Sequence, residues 1–285
     1  MCRHFKQTRF FLFYLVLMEE KILNILLQKV LELDLAYLDT FTNRQNTTWG
    51  YLFYNEDQPS YYDANHAHIH EVPENPRDVI EEVIQFYQER NIIPRFYLYN
   101  LEKLALFIKE LNSYKFSFEE LVSPIQIWNK ELNGHKRNDR VTIEKVKDEN
   151  FHEALEIECS IKEFGGREVR EKAFPEEFKH PAFTHYLLRY DGEACATACI
   201  FKHGDQARME SVATKEKFRG KGLIGELIYF LQAEVKKSGK EDLWVFPINE
   251  KIEKVYAKYG FTTAGKFITG HAFLGGRSIK EIQEC

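Results

Sequence analysis

The segment Glu210-Ser211-Val212-Ala213-Thr214-Lys215-Glu216-Lys217-Phe218-Arg219-Gly220-Lys221-Gly222-Leu223-Ile224-Gly225 concentrates residue types able to hold an anion. It reads as a strand, a short loop with two glycines, and the start of an amphipathic helix carrying Leu223, Leu227, Leu231 and Val235. Glycines let the backbone turn tightly and approach a ligand, while the first N–H groups of a helix have no acceptor within it and point outward. Arg219 and Lys221 add positive charge, so the loop makes a nest suited to a pyrophosphate. The P-loop pattern fails, because no Lys-Ser/Thr follows the second glycine. Gly220, Gly222 and Gly225 satisfy Gly-x-Gly-x-x-Gly in form, but an antiparallel strand series precedes them and no acidic residue stands at the required distance. The bland alternative is a glycine-bearing turn that caps a surface helix.

A second segment lies downstream. Asn249 is followed at the seventh residue by Tyr256, in Tyr256-Ala257-Lys258-Tyr259-Gly260-Phe261. Gly260 reads as a helix C-cap and Phe261 as the first buried residue of the next strand.

Together the two segments resemble the GNAT superfamily of N-acetyltransferases, over roughly Val141 to Cys285. The first is similar to the family's acetyl-CoA signature Gln/Arg-x-x-Gly-x-Gly/Ala, with Arg219, Gly222 and Ile224 at the defined positions. Ile224 departs from it, since a small residue is usual there. The second is similar to the family's Asn, helix, Tyr-x-x-x-Gly-Phe pattern. The resemblance implies that acetyl-CoA is the cosubstrate and that no metal takes part. It implies that backbone groups of Val212, Ala213 and Thr214 bind the pantetheine arm. The amides of Arg219, Gly220, Lys221, Gly222, Leu223 and Ile224 would take the pyrophosphate, and Asn249 would meet the cofactor near the pantetheine. The implied reaction is direct attack of an amine on the thioester, which requires loss of a proton from the amine and stabilisation of the departing thiolate. Tyr256 is the candidate acid at the sulfur; its competing role is a structural aromatic on an amphipathic helix. Glu210 is the candidate base, directly or through water, two residues before Val212 and on the same face of a regular strand. Its competing role is a solvated strand carboxylate.

Strands and helices must position these groups. The hydrophobic periodicity predicts β-α-β-β-β-α-β-α-β-β after Arg140, ending in a pair of strands between Phe261 and Leu274. The earlier half shows a similar order: a strand pair, a helix opened by Pro76, a strand at Arg95–Tyr99, a helix and a strand at Phe118–Trp128. The expected fold class is α/β (α+β): a mixed, mostly antiparallel sheet flanked by helices, as two tandem GNAT-like domains. The expected boundaries are an extension at 1–17, a degenerate GNAT-like domain at 18–132, a linker at 133–140 and the acetyltransferase domain at 141–285. The stretch Asn133–Arg140 contains no apolar side chain able to offset the cost of ordering it. Residues 1–17 join a basic start to an apolar run too short to span a bilayer; Met18 is the expected start, with a weak membrane anchor as the alternative reading of the run. The first half has no Arg-x-x-Gly-x-Gly segment, so it is expected to shape the acceptor cleft or to stabilise its neighbour.

His66, His68 and His70 fall on one strand face, where a polar surface is a simpler reading than a metal site. The five cysteines fit no zinc or disulfide pattern; Cys195 and Cys199 are expected on one strand face as reduced, buried hydrophobes in a cytoplasmic protein. A formal net charge of -5 argues against nucleic acid or an anionic membrane as partner. The acceptor is expected to be a small-molecule amine or a protein amino group. Two rival functions are a non-catalytic acyl-CoA sensor and an aminoacyl-tRNA-dependent transferase, the latter opposed by the acidic balance.

Overall fold

The computed structural model describes residues 26, 28–69, 71–132, 134, 137–164 and 166–284; the expected extension at 1–17 and the stretch at 18–25 lie outside them. Eleven strands form one sheet: β1 (Asn43–Asn46), β2 (Gly50–Tyr54), β3 (His66–Ile69), β4 (Arg95–Leu98), β5 (Ser117–Trp128), β6 (Val141–Lys145), β7 (Phe183–Tyr190), β8 (Glu193–His203), β9 (Gln206–Thr214), β10 (Asp242–Val245) and β11 (Phe261–Phe273). Helices are α1 (28–38), α2 (Pro76–Gln88), α3 (Ala105–Ser113), α4 (Phe151–Cys159), α5 (Gly166–Lys179), α6 (Leu223–Lys237), α7 (Glu250–Ala257) and α8 (Ile279–Glu284). Among the described residues no helix is long and apolar enough to cross a membrane.

The strand order is β1-β2-β3-β4-β11-β5-β10-β9-β8-β7-β6. Within each half the strands pair antiparallel except where a helix crosses over: β3 runs parallel to β4 across α2, and β9 parallel to β10 across α6. The halves join by exchange. β11 is the last strand but pairs with β4 of the first half, while β5 ends the first half and pairs with β10 of the second. β5 and β11 also pair with each other along nearly their whole lengths. The expected pair of strands after Phe261 is therefore one long strand, bent by a bulge between Thr263 and Gly265 rather than broken by a turn.

The helical stripes bury as their spacing dictates. Val79, Ile80, Val83 and Tyr87 of α2 lie against β2–β4, and the Tyr87 hydroxyl donates to the Phe53 carbonyl at 2.8 Å. Leu223, Leu227, Leu231 and Val235 of α6 pack with Ala196, Ala198 and Met209 on one face of the second half. On the opposite face Val30 and Leu33 of α1 cover Cys199, Phe201 and Trp244, so a helix of the first half seals the core of the second. The halves share core as well as sheet.

Cys195 and Cys199 differ from expectation. The β7–β8 register shifts between Leu188 and Arg189, leaving Cys195 as the extra residue of a bulge and reversing the side-to-side alternation there. Cys195 joins the core under α6, and Cys199 the core under α1. Both are free thiols.

Candidate active site

β9 and β10 share register only from Gln206 to Arg208. Beyond Arg208 they diverge, and the β10 side of β9 from Met209 to Thr214 has no strand against it. The β8–β9 pairing slips in the same stretch: Glu210 faces Cys199 and Ala213 faces Thr197, so three steps on β9 match two on β8. Ser211 carries the bulge, with φ 51 in the left-handed region. The extra residue corrects the simple alternation expected of Glu210 and Val212, because a bulge between two positions breaks their shared facing. It turns the strand just before Val212, Ala213 and Thr214.

The loop after β9 folds as an anion nest. Gly220 and Gly222 have φ of 79 and 76, and Gly222 is the N-cap of α6 with no side chain satisfying the helix start. Among the described residues no hydrogen bond occupies the N–H groups of Gly220, Lys221, Gly222, Leu223 or Ile224. The Arg219 Nε donates to the Thr214 carbonyl at 3.2 Å, clamping the loop to the end of β9. Lys221 lies over the Tyr190 ring. Ile224, the departure from the motif, turns its side chain toward the α6 core and leaves the nest to its backbone. The glycine that the packing requires is Gly225, where a Cβ would stand 2.1 Å from the Tyr259 hydroxyl. These features fit a coenzyme A arm: a bare strand edge, then a row of unoccupied amides at a helix start.

Asn249 is the N-cap of α7; its Oδ1 accepts from the Ile252 amide at 3.0 Å. The side chain singled out for the cofactor thus also starts the helix that carries Tyr256. Tyr256 is 6% exposed and packs edge-on against Phe261. Burial first, and then the negative charge of Glu210, push its phenol well above the ordinary value, so it stays protonated at neutral pH.

Glu210 is not a solvated carboxylate. Burial raises its pKa, opposed by an ion pair and hydrogen bond from Arg208 on the same strand. Arg208 also binds Asp34 of α1 at 2.8 Å, and its guanidinium lies 4.4 Å from the Tyr37 ring centre and 4.3 Å from that of Phe246. The base candidate is held by a residue of its own strand and, through it, by the first half.

A cavity of about 200 Å³ opens beside Glu210 and is walled largely by the first half, including Asp34, Tyr37, Asp63, His66 and Tyr97. His66 and His68 do not form the polar surface expected of them. Both are buried, stacked on Tyr97 and Tyr99 at ring distances of 4.1 and 4.5 Å, because β4 lies beside β3 and sets tyrosines against each histidine. His70 lies outside the described residues. No group of three or more metal-ligating side chains occurs among the described residues.

One buried cluster escaped the sequence reading. Arg170 of α5 forms two hydrogen bonds with Glu177, at 2.9 and 2.8 Å, and meets Glu158 of α4 at 2.5 Å. His185 of β7 stands 3.9 Å from Glu177 and 3.8 Å from the Cys199 sulfur. Burial pushes Glu158 up to about 7 and His185 down to about 4. α5 is mostly charged and contains Pro175, so it lacks the apolar stripe that marks a helix. The signal present in sequence was the pair Arg170 and Glu177, two helical turns apart on one face.

Residues 150–261 match the model of the acetyltransferase (GNAT) family. Solved structures agree in fold. A GCN5-related N-acetyltransferase from Kribbella flavida superposes with a TM-score of 0.66 at 18% identity, over 89% of this chain and 97% of that one. A conserved protein of unknown function from Staphylococcus epidermidis gives 0.64 at 12% identity, over 81% and 93%. A tandem GNAT protein from the clavulanic acid biosynthesis pathway gives 0.52 at 12% identity, over 75% of this chain and 76% of that one. No curated protein matches the chain by sequence. Residues 150–261 are thus similar to the GNAT acetyltransferases, and the chain as a whole shares the fold of these solved structures.

Proposed function

We propose that the C-terminal domain transfers an acetyl group from acetyl-CoA to a primary amine, with the first half forming the acceptor side of the site. The observation that carries the reading is the divergence of β9 from β10 past Arg208, running directly into the unoccupied amides of Gly220 to Ile224. That is one continuous track for an extended arm ending in phosphates.

When bound, acetyl-CoA supplies the thioester. The residues of the chain then divide the proton work. An incoming ammonium must lose a proton before nitrogen can attack; Glu210, buried beside the bulge with its pKa raised, would take it directly or through water. As the C–N bond forms and the C–S bond breaks, the electron pair leaves on sulfur, where the protonated Tyr256 can donate. The second proton of the amine restores Tyr256, and the first passes to solvent. Arg208 tempers Glu210 by favouring its charged form, while burial acts the other way and keeps it basic.

The decisive experiment measures thiol release from acetyl-CoA over a panel of amines, together with acetyl-CoA binding by calorimetry. Binding and turnover are expected. Binding without turnover on any amine would favour the sensor reading, and absence of binding would end the proposal. Gly222→Asp sharpens the test. A Cβ there meets nothing within 4 Å, so the cost to the fold is the left-handed backbone, about 1 kcal/mol. The added charge faces the phosphates, and acetyl-CoA affinity should drop about a hundredfold with the melting transition nearly unchanged.

A further inference from the structure

We infer that the cavity beside Glu210 is a binding site for a small dicationic amine, an aliphatic diamine in chemical class. This rests on the acetyltransferase reading for its catalytic meaning, but the site stands on its own geometry.

Charge is the first argument. Asp34 and Glu210 share Arg208, so that triad carries one net negative charge. Asp63 adds a second: burial raises its carboxyl to about 6, its carboxylate accepts a hydrogen bond from the Tyr97 hydroxyl at 2.9 Å, and no cation among the described residues pairs with it. Two net negative charges face one small space, separated by aromatic walls such as Tyr37 and Tyr97. Aromatic faces accept both a methylene chain and the edge of a cation. A volume of about 200 Å³ admits a chain of a few carbons and excludes bulky amines or a folded protein terminus.

The second argument is independent of charge. His66 is 0% exposed and lines the cavity; no well-formed hydrogen bond reaches either ring nitrogen among the described residues, although the backbone at Tyr62 and Asp63 lies near the ring. Its stacking on Tyr97 occupies a ring face and leaves the ring edge with no side-chain partner among the described residues. Buried polar atoms are almost always paired, so an imidazole left this way is a group set for a ligand. Burial keeps it neutral, with a lone pair able to accept from an ammonium rather than repel it. The inferred ligand would set one nitrogen at Asp63 and His66 and the other at Glu210, which precedes Val212 by two residues on β9.

The test uses the full-length protein and putrescine as probe, with butylamine as its singly charged counterpart. Isothermal calorimetry without acetyl-CoA should show putrescine binding about tenfold or more tighter than butylamine, and Asp63→Asn should remove that preference. His66→Phe keeps the stacking and removes the acceptor, and should weaken putrescine about tenfold. Equal binding of the two amines by the wild-type protein, or no binding of putrescine, overturns the inference without any variant. Acetyl-CoA affinity, measured on the same samples, should be unaltered by either substitution. Its absence would overturn the acetyltransferase reading while leaving the diamine result to stand or fall alone.

Discussion

At the residue scale, the chemistry turns on how one sheet strand is interrupted. A regular β9 would offer its amides and carbonyls to β10 along its whole length; instead Ser211 adopts a left-handed conformation and the strands part past Arg208. A non-glycine residue there is strained, and such strain persists where the surroundings impose it. The same bend sets Glu210 within electrostatic reach of Tyr256. Tyr256→Phe removes one hydroxyl from a ring already packed against Phe261, so its fold should survive. If the phenol donates to the departing sulfur, kcat should fall about a hundredfold with the KM for acetyl-CoA little changed. A variant with wild-type kcat would assign Tyr256 to packing alone. The glycine pattern, Asn249 and Tyr256 were legible in sequence because they are local: each acts within a few residues of its own element. Arg208, Asp34 and Asp63 were not, because their meaning depends on which strand and helix of the other half lie beside them.

At the element scale, periodicity read well where burial has one face and poorly where it does not. α2 and α6 carry apolar stripes and were legible. α5 was not, because it buries an ion cluster rather than a stripe, and the reversal at Cys195 was not, because a bulge leaves no mark in composition. The α4–α5–β7 cluster carries a pH signature. His185 titrates at about 4 in the fold, against about 6.5 in an unfolded chain. Between those values the unfolded state binds a proton that the folded state refuses. Its contribution is therefore intact above about pH 6.5 and is lost as the pH falls toward 4. His185→Phe, flanked by Phe174 and Phe183, removes that proton-binding difference. Going from about pH 7.5 to about pH 5, the wild type should lose about 2 kcal/mol more stability than the variant, read from urea midpoints. Glu158, raised to about 7, acts with the opposite sign in the same samples, which is why the comparison is between proteins and not within one. Equal losses in both would show that His185 accepts its proton in the folded state.

At the scale of the whole molecule, the two halves form a sheet that neither can complete. The polar stretch at 133–140 reads as a linker between independent domains, yet β5 lies between β10 and β11, and β11 lies between β5 and β4. Sequence gave no hint of this, since strand exchange depends on pairing partners more than a hundred residues apart. A fragment of residues 141–285 would lose β5 with Ile125 and Trp128, and α1 with Val30 and Leu33, exposing the faces of Trp244 and Phe201. Each of those four buried side chains contributes about 1.5–3 kcal/mol, so the loss is about 6–12 kcal/mol, comparable with the whole stability of an ordinary domain. It would also leave β10 and β11 as open edges prone to pair between molecules. The fragment should therefore aggregate or melt without a cooperative transition, and bind no acetyl-CoA, although every residue of the cofactor motif is present. A monomeric fragment with a sharp melting transition and full-length affinity would instead make the first half a separable domain, and would confine its role to the cavity that Asp63 and His66 line.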